Sequence, residues 1–160
     1  MAELTTDDEI LAEACRIAQG QPGGTLATMH AEDGTPYVTY VLFHLLANGR
    51  VLFGSGGGPQ HTRNIAATPE VSFLIDNREA VKGDWNEFDR VVIEGMARRV
   101  APEDAGYDDY ITELASKSEE AAFFTKRGHM FCIEPRRLIM MKGLQPARHI
   151  VAFERADSRA

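Results

Sequence analysis

Between Phe53 and Asn64 the chain reads Phe-Gly-Ser-Gly-Gly-Gly-Pro-Gln-His-Thr-Arg-Asn, and these residue types at this spacing suit the holding of an anion. A strand-like run ends, three glycines follow, and a helix opens at Pro59, a residue suited to the first helical position. Glycines let backbone N–H groups approach an anion closely, and a helix start adds unpaired donors and about half a positive charge. Ser55, His61, Thr62 and Arg63 bring side-chain donors to the same place, flanked by Gly58 and Gln60. A phosphate monoester of charge about −2 needs such a cradle. The same residues also suit a flexible loop in which Gly58 or Ser55 caps a helix, and the residues alone leave both readings open. A nucleotide P-loop is excluded, because no Gly-Lys-Ser/Thr follows at the required spacing. A dinucleotide turn is excluded too, since the glycines are contiguous and the surroundings are not βαβ.

No metal site accompanies this turn. Cys15 and Cys132 lie far apart and form no CxxC. His129 and Cys132, if on one strand, point to opposite faces at their odd spacing, so buried thiols are the better reading. Trp85 reads as a loop aromatic packed on its own barrel, His44 as a rim residue, His149 as a surface residue, and Met140 and Met141 as fillers of core and edge.

The elements that must position the turn are legible by period. Thr6 and Glu9 form a capping box, Asp7 and Asp8 suit a helix start, and Ile10, Leu11, Ala14, Cys15 and Ile17 make an apolar stripe that Gly20 ends. The period then changes to strands, expected over 25–30, 37–46, 51–54, 70–75, 90–100, 130–141 and 150–153. Asp33-Gly34 and Asn48-Gly49 are hairpin turns. A short helix is expected over 59–67, a polar loop over 76–89, and two helices within 102–126. Hairpin-joined strands with helices inserted late predict a mainly β (α+β) chain, an antiparallel barrel closed or nearly so, with peripheral helices.

A length of 160 residues fits one domain over 1–160, with a helix in 1–20 and a frayed tail at 154–160. Net charge is −7, which argues against a nucleic-acid partner despite the pairs Arg98-Arg99 and Arg136-Arg137. No apolar run is long enough to span a membrane, and no basic-then-apolar leader opens the chain, so a cytoplasmic protein is expected.

The ordered set of pieces from Thr25 to Val100 resembles the FMN-binding split-barrel superfamily of pyridoxamine 5'-phosphate oxidases. It comprises Thr25-Leu26-Ala27-Thr28, Asp33-Gly34-Thr35-Pro36-Tyr37, His61-Thr62-Arg63-Asn64-Ile65, Thr68-Pro69-Glu70-Val71-Ser72-Phe73-Leu74-Ile75 and Arg90-Val91-Val92-Ile93-Glu94-Gly95. The His-Thr-x-Asn helix, the stretch from Tyr110 to Phe124, Met130-Phe131-Cys132-Ile133-Glu134-Pro135 and Ala152-Phe153-Glu154-Arg155-Ala156 are similar to the heme-utilisation branch. That branch usually carries Gly-Phe-Gly where this chain has Ala152-Phe153-Glu154.

The resemblance implies a split barrel, a homodimer with FMN at the subunit interface, and hydride transfer through flavin N5 to or from a small organic substrate. It implies Thr39 at the phosphate or ribityl chain and Tyr40 and Val41 along the ring. Ser55, Gly58, Gln60, His61 and Thr62 fall at the phosphate, and Arg90, often from the partner subunit, against the flavin. Heme binding or degradation, a deazaflavin-dependent reductase and a non-catalytic flavin-binding protein are the alternatives it implies.

Overall fold

The structure, a computed structural model, describes residues 3–56 and 58–154. Gly57 of the glycine run, and the tail from Arg155 with the last two residues of the Ala152-to-Ala156 motif, lie outside the described residues. Helix α1 (Asp7–Gln19) begins with the expected capping box, Thr6 accepting from the Glu9 N–H and Glu9 reaching back to the Thr6 N–H. Ile10, Ala14, Ile17 and Ala18 form its buried face.

Seven strands follow: β1 (Gly23–Met29), β2 (Pro36–Leu45), β3 (Val51–Ser55), β4 (Glu70–Asp76), β5 (Arg90–Val100), β6 (His129–Met141) and β7 (Arg148–Ala152). Helix α2 (Gln60–Ala67) lies between β3 and β4, while α3 (Tyr107–Lys117) and α4 (Glu119–Arg127) precede β6. Gly34 and Gly49 take φ of 72° and 88° at the two hairpin turns, a region glycine enters without strain. The loop over 76–89 is more ordered than its polarity suggests, holding short 3₁₀ turns at Arg78–Ala80 and Trp85–Glu87. Asp84 caps the second by accepting from the Asn86 N–H.

All pairings are antiparallel, and β3 also pairs with β6, so β1, β2, β3, β6, β5 and β4 close into a six-stranded barrel. Strand β7 adds to the outer half of β6. The β5–β6 register shifts between Glu94 and Gly95, where any Cβ on Gly95 would lie 2.1 Å from the Glu134 carbonyl oxygen. This bulge also admits Pro135 into a long strand without breaking a regular ladder.

Alternate residues of each strand fill the barrel, among them Leu26, Phe43, Phe53, Phe73, Ile93, Phe131 and Leu138. Outside it, α3 and α4 cover Leu52, Val100, Met130 and Cys132, forming a second apolar cluster with Ile111 and Leu114. His44, expected at the rim, instead lies largely buried beneath α3, its Nε2 3.4 Å from Glu113. Trp85 remains 57% exposed and meets Phe88 edge-to-face. Met140 is buried in the core, and Cys132 is a buried thiol that desolvation pushes up to about 11. Arg98, Arg136 and Arg137 each face a carboxylate, on Glu134, Glu70 and Glu94. No described helix is long and apolar enough to cross a membrane.

Lys142 joins α1 to the barrel end, its Nζ donating to Glu13 at 2.6 Å and to Asp89 at 2.8 Å. Arg16, with Lys142 beside it, holds the Glu13 carboxyl down at about 2 from an ordinary 4.5. A carboxylate lowered on folding contributes stability that is complete above its unfolded pKa and disappears as pH falls through the folded one. The stability advantage of the native chain over a Glu13→Gln variant is therefore expected to shrink between pH 4.5 and about 2. Urea midpoints at stepped pH would show it, and a difference independent of pH would remove Glu13 from the acid response.

Candidate functional site

The end of β3 and the start of α2 meet at one end of the barrel. Ser55 continues the inward face of Val51 and Phe53 and stands opposite His129 on β6. Its hydroxyl donates to the Gly56 carbonyl at 3.1 Å and lies 3.0 Å from the Thr62 hydroxyl. Gly128 keeps this corner tight, for a Cβ there would stand 2.1 Å from the Ser55 oxygen. Pro59 is the residue before the helix, extended at ψ 154°, rather than its first turn. Its carbonyl accepts from the Thr62 N–H, so the proline fixes the entry without occupying the helix.

Asn64 rivets α2 to the barrel. Fully buried, it donates to Thr28 and accepts from the Ala31 N–H and from Gln60. Gln60 spends its amide donors on Asn64 and Glu32, and its carbonyl accepts from Arg63. The structure thus turns Gln60 away from the glycine turn. Gly58 is exposed there, its carbonyl accepting from Arg63 at 3.0 Å.

Two imidazoles are left with unspent capacity. His61 is buried against Phe53, its Nε2 without a partner, and burial pushes its pKa below the ordinary value. It is therefore neutral at neutral pH. His129 Nδ1 is likewise buried and unpaired. A buried polar atom without a partner costs about 1–3 kcal/mol, and these two, on α2 and on β6 opposite Ser55, have hydrogen-bonding capacity left to offer a ligand. These orphaned atoms fit the phosphate of a mononucleotide.

The opening beside the turn comes from the register. β2 and β3 pair only from Phe43–Phe53 to Leu45–Val51. Continued by two residues, the ladder would set Val41 opposite Ser55, but it stops, and the first half of β2 keeps only β1 as neighbour. Thr39 and Val41 share the inward face along this split, whereas Tyr40 points to the outer face, since successive side chains alternate. Tyr40 lies over Gly23, whose missing side chain makes room for the ring, beside a groove of about 210 Å³ lined by Thr25, Leu74, Asp76 and Arg78. One ring in one chain cannot rest on both Tyr40 and Val41.

Arg90 does not join the turn either. Val100 pairs with Met130, next to His129, so the turn lies at the far end of β5, about 30 Å from Arg90 within the same chain. Arg90 stacks on Phe88 and donates to the Gly143 carbonyl, its Nε buried and unpaired. The sequence pattern does not assign His129 or Asn64 to this corner. Their roles come from contacts across the barrel that spacing does not carry. Among the described residues no three His, Cys, Asp or Glu side chains are grouped to hold a metal.

Residues 2–142 match the family described as pyridoxamine 5'-phosphate oxidase. The chain belongs to this family. No curated protein matches it. Among solved structures, a heme-binding protein from Mycobacterium smegmatis superposes on this family member with a TM-score of 0.76 at 22% identity, over 94% of the chain. The chain spans only 60% of that protein's length. The heme storage protein HutZ from Vibrio cholerae gives 0.62 at 19%, covering 88% of this chain and 92% of its own. An FAD-binding protein from Mesorhizobium loti gives 0.63 at 18%, over 81% and 92%. At these identities the likeness is one of fold. The same barrel therefore recurs in proteins described by different cofactors.

Proposed function

We propose that this family member binds FMN in the split between β2 and β3 and works as an oxidoreductase on a small organic substrate. The observation that carries the reading is the pair of unspent buried nitrogens, on His61 and His129, beside the glycine turn. His61, Thr62 and Ser55 would hold the phosphate, and the edge of β2 at Thr39 and Val41 would take the ribityl chain and ring. When bound, FMN supplies hydride transfer at N5, and the protein supplies anchoring, burial and electrostatics. No acid–base dyad is required of the chain.

Heme is the second reading, favoured by one observation. A neutral imidazole with a free Nε2, as His61 has, suits an iron as well as a phosphate. Visible spectra of the purified protein titrated with FMN, riboflavin and hemin distinguish the two. Quenched FMN fluorescence with a shifted flavin band supports the first, a shifted Soret band with no FMN response replaces it by the second, and silence toward all three overturns both.

A homodimer belongs to this proposal. On the outer face of β2, β1, β4 and β5 stand Val38, Tyr40, Met29 and Met96, exposed and apolar, with Leu74 and Val92 between them. A second copy covering this sheet would bury the Tyr40 groove and bring another chain's Arg90 toward a site that its own chain's Arg90 cannot reach. Sedimentation at micromolar concentration is expected to show a species near twice 17.7 kDa, and Tyr40→Glu is expected to dissociate it. A 17.7 kDa species alone would sink the interface.

A further inference from the structure

The first turn of α2 carries no acidic residue, and Pro59 before it makes no side-chain cap. The negative charge at this helix start comes from another element. Between β1 and β2 the hairpin turn brings in Glu32, whose two carboxylate oxygens accept from the Gln60 side-chain amide at 2.8 and 3.2 Å. The same carboxylate lies 3.8 Å from Arg63 Nε and 3.6 Å from His30 Nδ1. Arg63 in turn donates to the Gly58 carbonyl and to Gln60, so the contact borders the glycine turn. Its place is set by the backbone. The N–H of Ala31, the residue before Glu32, donates at 2.9 Å to Asn64, the fully buried side chain of α2.

A helix start favours negative charge, and carboxylate and phosphate oxygens accept from the same donors. Gln60 and Arg63 already face a carboxylate, whereas His61, one residue from Gln60, is 7% exposed and keeps its Nε2 unpartnered. The side chains of Glu32 and Arg63 are 59% and 54% exposed, and an ion pair that exposed is weak. A weak contact made by a tethered carboxylate is one that an incoming anion of higher charge can displace.

We propose that Glu32 is an autoinhibitory anion. It holds Gln60 and Arg63 until the anionic group of the small molecule in the β2–β3 split displaces it, so the chain binds that molecule less tightly than its donors allow. The inference rests on the reading that such a molecule lies in the split, and it adds the residue that competes with the molecule's charge.

Dissociation constants for FMN, riboflavin and hemin test it in the native chain, Glu32→Gln, Glu32→Ala and the double variant Glu32→Ala with Arg63→Met. Glu32 stands in an exposed turn, so urea midpoints of the single variants are expected to stay close to the native one. Both single variants are expected to tighten FMN about three- to tenfold, the effect of taking an exposed like charge from beside a dianion, with riboflavin within about twofold. Arg63→Met is expected to take that gain away. The gain appearing with hemin and not with FMN supports Glu32 and overturns the flavin reading. FMN affinity unchanged or weakened in both single variants overturns Glu32 and leaves the flavin reading standing, the carboxylate then only tying the hairpin to α2. An equal gain for riboflavin, which has no phosphate, or a gain that survives Arg63→Met, also overturns the displacement. Silence of all four chains toward FMN and hemin overturns both.

Discussion

Replacing His61 and Thr62 together by alanine is expected to cost about a hundredfold or more in FMN affinity while leaving riboflavin within about twofold. The two ligands differ only in the phosphate, so the ratio of their dissociation constants isolates the turn. His61 offers an unspent Nε2, and the Thr62 hydroxyl, now shared with Ser55 and the Gly56 carbonyl, can turn outward. A hydrogen bond to a charged group contributes about 1.5–3 kcal/mol, and two of them multiply to the expected factor. Alanine is a strong helix former, so α2 keeps its backbone, and Asn64 still ties it to Thr28 and Ala31. Removing the buried His61 ring opens a void against Phe53, and riboflavin affinity serves as the control for that damage. Comparable affinities of the native protein for FMN and riboflavin, by fluorescence quenching, would mean the glycines only shape the entry to α2.

The second large effect is on stability. Lys142→Met is expected to destabilise the fold by about 3 kcal/mol, because it leaves two mostly buried carboxylates facing each other without their shared cation. The side chains of Lys142, Glu13 and Asp89 are 14%, 19% and 11% exposed, and both contacts are short. Asp89 keeps only the Gly143 N–H and the Asn77-linked backbone around it, while Glu13 keeps Arg16. Combining Lys142→Met with Asp89→Asn removes one of the stranded charges and is expected to recover a large part of the loss. Urea unfolding of the two single variants and the double variant gives the coupling directly. A loss below about 1 kcal/mol for Lys142→Met would show that water already serves these carboxylates.

Much of the architecture was legible because it is local. The capping box at Thr6 and Glu9, the two hairpin turns at Gly34 and Gly49, and the alternation along β5 depend on residues a few positions apart, and each appears where expected. The hairpin turns set β1 beside β2 and β2 beside β3, which is most of the strand order. Pro59 differed by one position, because its φ of −64° is shared by the first helical residue and the one before it, and only ψ separates them.

The chain by itself therefore determined the elements, the mainly β class and the position of the glycine turn, since period and turn chemistry are written in neighbouring residues. Tertiary structure alone decided what surrounds that turn. The β3–β6 ladder closes the barrel across the inserted α3–α4 pair, and that closure sets His129 against Ser55. The early end of the β2–β3 ladder opens the split. The same geometry spends the Gln60 amide on Asn64 and Glu32, sets Arg90 at the other end of β5 from the turn, and puts Tyr40 and Val41 on opposite faces. Such contacts join residues dozens of positions apart, and they follow from which faces pack once the ring has closed, a choice that no local periodicity records.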